Sequence, residues 1–536
     1  MRRLLFLFVL GVSLTFGFGC QRESTEPPEK TQLEPQKGGT YRAALPWSPR
    51  NLDPAFSTDI YSVTLIQQIF DGLVQFDQSL NIVPAIAIDW SVTGDGLTYT
   101  FSLRDDVKFH NGRTITAADF VYSFTRILNP KEESSALSFF ERIKGADSYR
   151  RGESNTVEGL EALSPNTLQI TLKEPFAPFL FVLAMKSSKV VPREEVERWG
   201  KDFGHHPVGT GPFRFESWEA SRIVLGANHN YHEGRPHLAQ IVYTVYEGSQ
   251  NEKIFQDFQA GLLEEATVFG ENRERMSQTT EYQFFRKPTL SLLFYGMNCT
   301  SPPLMDPRVR QALNYAINKT KIVREYVKDQ FVSATTILPP GMPGYTPENA
   351  AYAYDPEKAK TLLRQAGYGP SQKKLSLTIL SASKSKLAQQ ELTLVAANLA
   401  AVGVELKFQY ETDWPTFEAT LSSGNFQLYR YSWIADIPDP DNFLKVLFGS
   451  DSRYNFMRYS NPEVDRILGQ ALAETDMLKR VNLYRAAERI TLRDAPMIPW
   501  LYLTFESVFQ PYVKGLEISA LGRPYIPLKK IWLAKY

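Results

Sequence analysis

Between Leu375 and Tyr410 the sequence reads strand, helix, strand, and this order constrains the fold more than any other stretch of the chain. Leu375 to Leu380 is a strand-like apolar run. Lys386 to Val402 carries a helical pattern closed by Gly403, and Val404 to Tyr410 returns to strand character. A unit of this kind places its two strands in parallel and joins them by a right-handed crossover. The chain is therefore expected to contain an α/β lobe.

Two neighbouring helices announce themselves by their caps. Asp306-Pro307 sets an N-cap before a proline at the first helical position, and Val309, Ala312, Leu313, Ala316 and Ile317 follow on one face. Asp355-Pro356 repeats the device, with Gly367 as the stop. Further upstream, Leu97 to Leu103 alternates residue by residue, and Asn166 to Leu172 does so less regularly. Between them Thr116 to Leu128 opens on a capping threonine and carries Phe120, Val121, Phe124 and Leu128 at helical spacing, so this stretch reads as an α+β unit. A chain of 536 residues exceeds the roughly 250–300 residues that one hydrophobic core serves, and two or more lobes are expected.

The N-terminus reads as an export signal over residues 1–19. Arg2 and Arg3 are followed by an unbroken apolar run from Leu4 to Leu10 and a small-residue zone ending at Gly19-Cys20. The uncharged stretch is short for a membrane span, and a permanent anchor helix is the other reading of it. Gly19-Cys20 resembles a bacterial lipobox, in which Cys20 is diacylated and becomes the mature N-terminus, although Gly17 stands where that motif usually has leucine. Residues 20–39 then read as a flexible tether: Gln21 to Gly39 holds three prolines, one leucine and no aromatic residue, too little apolar surface to fold. The only other cysteine is Cys299, so a lipidated Cys20 excludes an internal disulfide and leaves Cys299 as a small buried apolar side chain.

Fifty-nine basic and 59 acidic residues balance to zero, so no overall field exists to hold nucleic acid. Gly-x-Ser-x-Gly, His-Glu-x-x-His and a helix-opening Gly-x-Gly-x-x-Gly are all missing from the sequence, and no cofactor is expected. His229 and His232 could share a metal if their loop curls, but plain surface histidines fit the same spacing. Asp436, Asp439 and Asp441 lie close together in a Pro-rich loop, which keeps a secreted hydrolase as the remote alternative.

Four separated motifs carry a family resemblance. They are Asn51-Leu-Asp-Pro54 with Ile69-Phe-Asp-Gly-Leu73, then the long run Trp90-Ser-Val-Thr-Gly-Asp-Gly-Leu-Thr-Tyr-Thr-Phe-Ser-Leu-Arg-Asp-Asp-Val-Lys-Phe-His-Asn-Gly-Arg-Thr-Ile-Thr-Ala-Ala-Asp119, then Gly209-Thr-Gly-Pro-Phe213, and Asp306-Pro-Arg-Val-Arg-Gln-Ala-Leu313. Together they resemble the family 5 extracytoplasmic solute-binding proteins of ABC importers, the group with oligopeptide-, dipeptide- and nickel-binding members. On their own residues these motifs read as turns and caps: Asn111-Gly112 is a tight turn, and Gly209 to Pro212 lacks the lysine of a phosphate loop.

The resemblance implies an α/β, two-lobed periplasmic-binding-protein fold of the large peptide-binder class. Lobe I is expected from 40–70, 187–290 and 503–536, an extra α+β domain packed on it from 71–186, and lobe II from 291–502. It also implies a monomer, periplasmic or at the cell surface, that is not an enzyme, with the lipobox-like Gly19-Cys20 as its lipid anchor. Its partners are a small peptide and the permease and ATPase subunits of an importer. Within Trp414 to Leu444, Asp436 matches the aspartate that pairs with a peptide's α-ammonium, and Arg430 matches an arginine near the ligand. Trp414 and Trp433 match tryptophans lining side-chain pockets. Leu421 stands where oligopeptide binders carry a second arginine, which leaves the far end of the ligand open. A non-peptide ligand such as a nickel chelate, a sugar or haem, or a peptide-sensing role, stays as the alternative.

Overall fold

Leu375–Ser381 and Val404–Tyr410 pair in parallel, from Leu375 against Val404 to Ser381 against Tyr410, and the helix Lys386–Ala400 crosses between them, as expected. They form one side of a six-stranded sheet whose order is Val332–Ser333, Met497–Tyr502, Ser291–Met297, Leu428–Ile434, Leu375–Ser381, Val404–Tyr410. Helices cover both faces. Pro307–Ala316 and Lys386–Ala400 bury Val309, Leu313, Leu392 and Val395 on one side. Asp441–Phe448, Pro462–Ala473 and Met477–Asp494 bury Leu444, Leu468 and Tyr484 on the other. The computed structural model describes residues 34–534 apart from 133 and 249, so the expected export signal, Cys20 and the tether up to residue 33 lie outside the described residues.

A second sheet takes the order Thr40–Leu45, Gln240–Val245, Arg222–Ala227, Phe213–Glu219, with the first pair parallel and the others antiparallel. Its entry is fixed early: the Gly38 amide donates to His237 O at 2.7 Å, and Gly39 O accepts from Ala239. The last two residues of the expected tether thus already run along this sheet. Beside it lie Glu265–Thr267, Thr504–Phe509 and Gln283–Pro288.

Two passages connect these sheets to the six-stranded one. The chain leaves through Thr289-Leu290 into Ser291–Met297 and returns through Leu503 into Thr504–Phe509. The passages are tied side by side, since the Thr289 amide donates to Leu503 O at 2.9 Å and the Leu503 amide donates to Ser291 Oγ at 3.1 Å. Two short paired strands with a lobe on either side are the ingredients of a hinge.

The α+β unit is an antiparallel sheet ordered Ala87–Val92, Thr98–Leu103, Thr167–Thr171, Leu160–Ser164, with the helix Ala117–Ile127 over it. The alternation of Thr98–Leu103 does what it advertises: Tyr99, Phe101 and Leu103 are buried and their neighbours are not. Thr116 and Asp119 close a capping box. This domain also touches the six-stranded lobe, because Ile437 joins its core and the Ala177 amide donates to Leu472 O at 3.0 Å.

The long motif and the Gly209-Thr-Gly-Pro212 motif explain one another. The His110 imidazole accepts from the Gly209 amide at 3.3 Å and contacts Gly211 O at 3.0 Å, and its amide donates to Gly209 O at 2.8 Å. Burial pushes the His110 pKa down to about 4, so the ring is neutral at neutral pH. Gly209 is obligatory for a packing reason, since a Cβ there would sit 2.1 Å from Ile69 O. These residues fasten the α+β domain to its neighbour and carry no chemistry.

Candidate ligand cleft

Leu428–Ile434 is the strand from which the expected site is built. Its side chains alternate between the two faces of the sheet. Tyr429, Tyr431 and Trp433 join the core beneath Asp441–Phe448, while Leu428 joins the opposite core. Arg430 points to that opposite side. Its guanidinium holds Glu391 with two bonds of 2.9 and 3.0 Å, and Glu391 also accepts from the Tyr295 hydroxyl at 2.6 Å. Arg430 and Trp433 are three residues apart, and the structure does not bring them together.

Trp433 packs against Tyr454 with ring centroids 5.4 Å apart, and its buried indole N–H has no hydrogen-bond partner among the described residues. Buried indoles usually find one. Trp414 opens the helix Trp414–Ser423 under an Asp413 N-cap, is 49 % exposed, and lies 5.7 Å from the Tyr431 ring. It therefore shares the Trp433 side of the sheet. Leu421, from the same helix, is buried in the core.

Asp436 sits just past the strand, where the Ala435 amide still donates to Leu290 O at 2.8 Å. The Asp436 amide donates to Asn442 Oδ1 at 2.9 Å, and three residues on, Asp439 is fully buried in a two-bond pair with Arg480 at 2.6 and 2.7 Å. The loop is thus held while the Asp436 carboxylate is left open to solvent. Protein nevertheless surrounds it closely enough that desolvation raises its pKa, an effect partly offset by Asn442 and by the charge of Lys186. The three clustered acids differ in kind: Asp439 is paired, Asp441 is buried with its pKa pushed up to about 7 by burial, and Asp436 alone is presented to solvent.

Lys186 belongs to the α+β side of the chain. Its ammonium donates to Ser57 O, and burial lowers its pKa to about 8 against the charges of Asp436, Asp53 and Asp59. Tyr525, from the C-terminal segment, also lies within the field of Asp436, and its ring meets Phe76 edge-on at 6.1 Å. On the lobe I side, a cavity of about 230 Å³ is lined by Leu45, Pro46, Tyr61, Phe269 and Phe505. Trp47, Ile60 and Phe269 stand exposed around it, as Trp414 and Ile434 do on the other lobe. Solvent-exposed apolar side chains gathered at an opening mark a binding surface.

Lys186 and Trp47 were missing from the sequence-based site. A signal existed for Trp47, an aromatic between two prolines (Pro46 and Pro49) in a loop directly after a strand. Lys186, a single charge ending the apolar run Phe179 to Met185, carried a weaker one. Cys299 is a free thiol, partly buried, with its pKa pushed up to about 11 by burial, which makes it a poor nucleophile.

Residues 81–455 match the family model of bacterial extracellular solute-binding proteins, family 5, middle. The glutathione-binding protein GsiB of Salmonella paratyphi A is 28% identical over 481 residues, covering 87% of this chain and 88% of that protein. Heme-binding protein A of Haemophilus influenzae is 30% identical over 532 residues, 94% of each chain. Among solved structures, the periplasmic murein tripeptide binding protein MppA in its unliganded open form superposes with a TM-score of 0.82 at 27% identity, covering 94% of this chain and 98% of that one. Another structure of MppA, from Escherichia coli, reaches 0.73 at the same identity, covering 94% of this chain and 100% of that one.

Proposed function

The chain belongs to the bacterial extracellular solute-binding proteins of family 5, and from that premise we propose that it holds a peptide with a free α-ammonium between its two lobes and hands it to the permease of an ABC importer. The observation that carries this reading is Asp436: a carboxylate on a rigidly held loop, open to solvent, in surroundings that already disfavour its lone charge. An ammonium ligand gives that charge a partner and a hydrogen bond.

Trp433 and Trp414 form one wall for ligand side chains, with Trp414 the more exposed of the two. Leu45, Tyr61, Phe269 and Phe505 line an apolar cavity on lobe I, which we assign to ligand side chains as well. An extended peptide between them can pair its backbone with the protein much as an added strand would, which tolerates many sequences. Arg430 supports the site at one remove, by holding Glu391 under the strand. The murein tripeptide and glutathione binders among the relatives suit this reading, since both named ligands are peptides.

We assign lobe I to 40–70, 187–290 and 503–536 and lobe II to 291–502, with 71–186 as the extra domain, a division supported by the crossings at Thr289-Leu290 and Leu503. The protein works as a monomer. Its Cys20 carries the lipid that anchors it to the membrane, in the periplasm or at the cell surface, and intact mass spectrometry of the mature protein is expected to find a diacylated Cys20; an unmodified N-terminus elsewhere excludes the anchor.

Closure tests the reading as a whole. Saturating amounts of a tri- to pentapeptide with a free N-terminus are expected to shrink the radius of gyration in small-angle scattering, as the lobes swing together about the Thr289 and Leu503 passages. A scattering curve unchanged at saturation would contradict it.

A further inference from the structure

A second opening lies on the lobe I side of the cleft, a cavity of about 250 Å³ whose lining includes Asp71, Gln75, Phe76, Lys189, Tyr525 and Lys529. Most of its charges are already matched. Glu233 accepts from Lys529 and from Gln75 at 2.7 Å each, Lys530 pairs with Glu517 at 2.7 Å, and Asp77 accepts from Asn81 at 2.9 Å.

Two buried charges are left over. Asp71 is 6 % exposed; the Tyr231 hydroxyl lies close enough to interact with its carboxylate, while its Oδ2 has no hydrogen-bond partner and no cation pairs with it among the described residues. The nearest histidine atom, His232 Nδ1, is 3.9 Å away, and burial lowers the His232 pKa, which favours the neutral ring. Lys189 is 5 % exposed, and among the described residues no hydrogen bond or ion pair reaches its ammonium. Burial lowers its pKa to about 8, only partly countered by the charge of Asp71. The two groups feel each other without touching, and both face one cavity. Buried polar groups left without partners are rare, and a pair of opposite sign on one small cavity calls for a ligand of matching form.

We propose that this cavity binds an amino-acid head, a carbon bearing both an ammonium and a carboxylate, with the carboxylate on Lys189 and the ammonium on Asp71. The volume falls below the range of drug-sized pockets and admits one such group with its waters. The head can come from a free amino acid or be carried on a larger ligand lying in the cleft. The cavity is distinct from the Asp436 anchor, although Tyr525 lines the one and faces the other.

Calorimetric titration of the full-length mature protein tests this. Glycine, L-alanine and glutathione, whose γ-glutamyl end is such a head, are each compared with derivatives blocked on the ammonium or on the carboxylate. At least one unblocked compound is expected to bind, and to bind tenfold or more tightly than its blocked forms. Saturation by the free amino acids identifies them as the source, whereas saturation by glutathione alone places the head on the cleft ligand. Lys189→Met is expected to lower affinity for that compound at least tenfold, while an α-linked tripeptide without such a head keeps its wild-type affinity. Equal binding of blocked and unblocked forms, or no binding of any of them to the wild type, overturns the proposal, and the wild-type comparison stands even if the variant does not fold. Loss of tripeptide binding alone would count against the peptide reading and leave this site standing.

Discussion

Asp436→Asn is expected to weaken binding of a peptide with a free N-terminus by about 100-fold, while affinity for the N-acetylated peptide changes by less than about threefold. The asymmetry follows from what is removed. The charged ligand loses the partner of a buried ammonium, whereas the acetylated one never had that bond. A pH series adds a second check with a definite sign. The Asp436 pKa is raised by desolvation, and the ionised carboxylate is the form that binds an ammonium. Affinity for the free peptide is therefore fuller at neutral pH and falls as pH drops through the raised pKa of Asp436, above that of an ordinary aspartate; in Asp436→Asn this dependence disappears. Calorimetry on the four combinations of protein and peptide measures both effects. Equal losses for the two peptides would remove Asp436 as the anchor.

Glu391→Ala is expected to cost about 3–5 kcal/mol of stability, because it strands the buried Arg430 guanidinium and takes away the acceptor of Tyr295. For a lobe of this size that corresponds to a fall in melting temperature on the order of 10 °C. The double variant Glu391→Leu with Arg430→Met is expected to recover much of the loss, since an apolar pair can replace a buried ion pair at little cost. Peptide affinity, measured well below the melting transition, should stay within about twofold of wild type in the double variant. A selective loss of affinity for peptides with a free C-terminal carboxylate, at undiminished stability, would instead place Arg430 in direct contact with the ligand.

The elements that were legible in the sequence are those whose cause is local. The period-2 burial of Thr98–Leu103, the Thr116 capping box and the Asp306 and Asp355 caps each depend on residues a few positions apart, and each formed where expected. The parallel pairing of Leu375–Ser381 with Val404–Tyr410 follows from chain handedness alone.

The site was legible only in part, and for a physical reason. Arg430 and Trp433 differ by an odd number of positions, so an extended strand must send them to opposite faces. Reading that stretch as a passage into a loop hid the parity. Trp414 follows an aspartate and precedes a proline, a helix-start signal that separates it from the strand. Leu421 was read as a statement about the ligand, but it packs in the lobe II core and bears on stability instead. Leu45, Tyr61, Lys186 and Phe269 lie more than 150 residues before Asp436 in the chain and Phe505 lies 69 residues after it, and no local pattern reports a cavity assembled from segments so far apart.

The central claim is that the cleft is built around an ammonium-bearing peptide. Its most direct test is mass spectrometry of the small molecules released when protein purified from its native host is gently denatured. The expected result is one or more peptides with an unblocked primary amine at one end, depleted in Asp436→Asn. A released ligand with no amine, retained equally by the variant, would contradict the account.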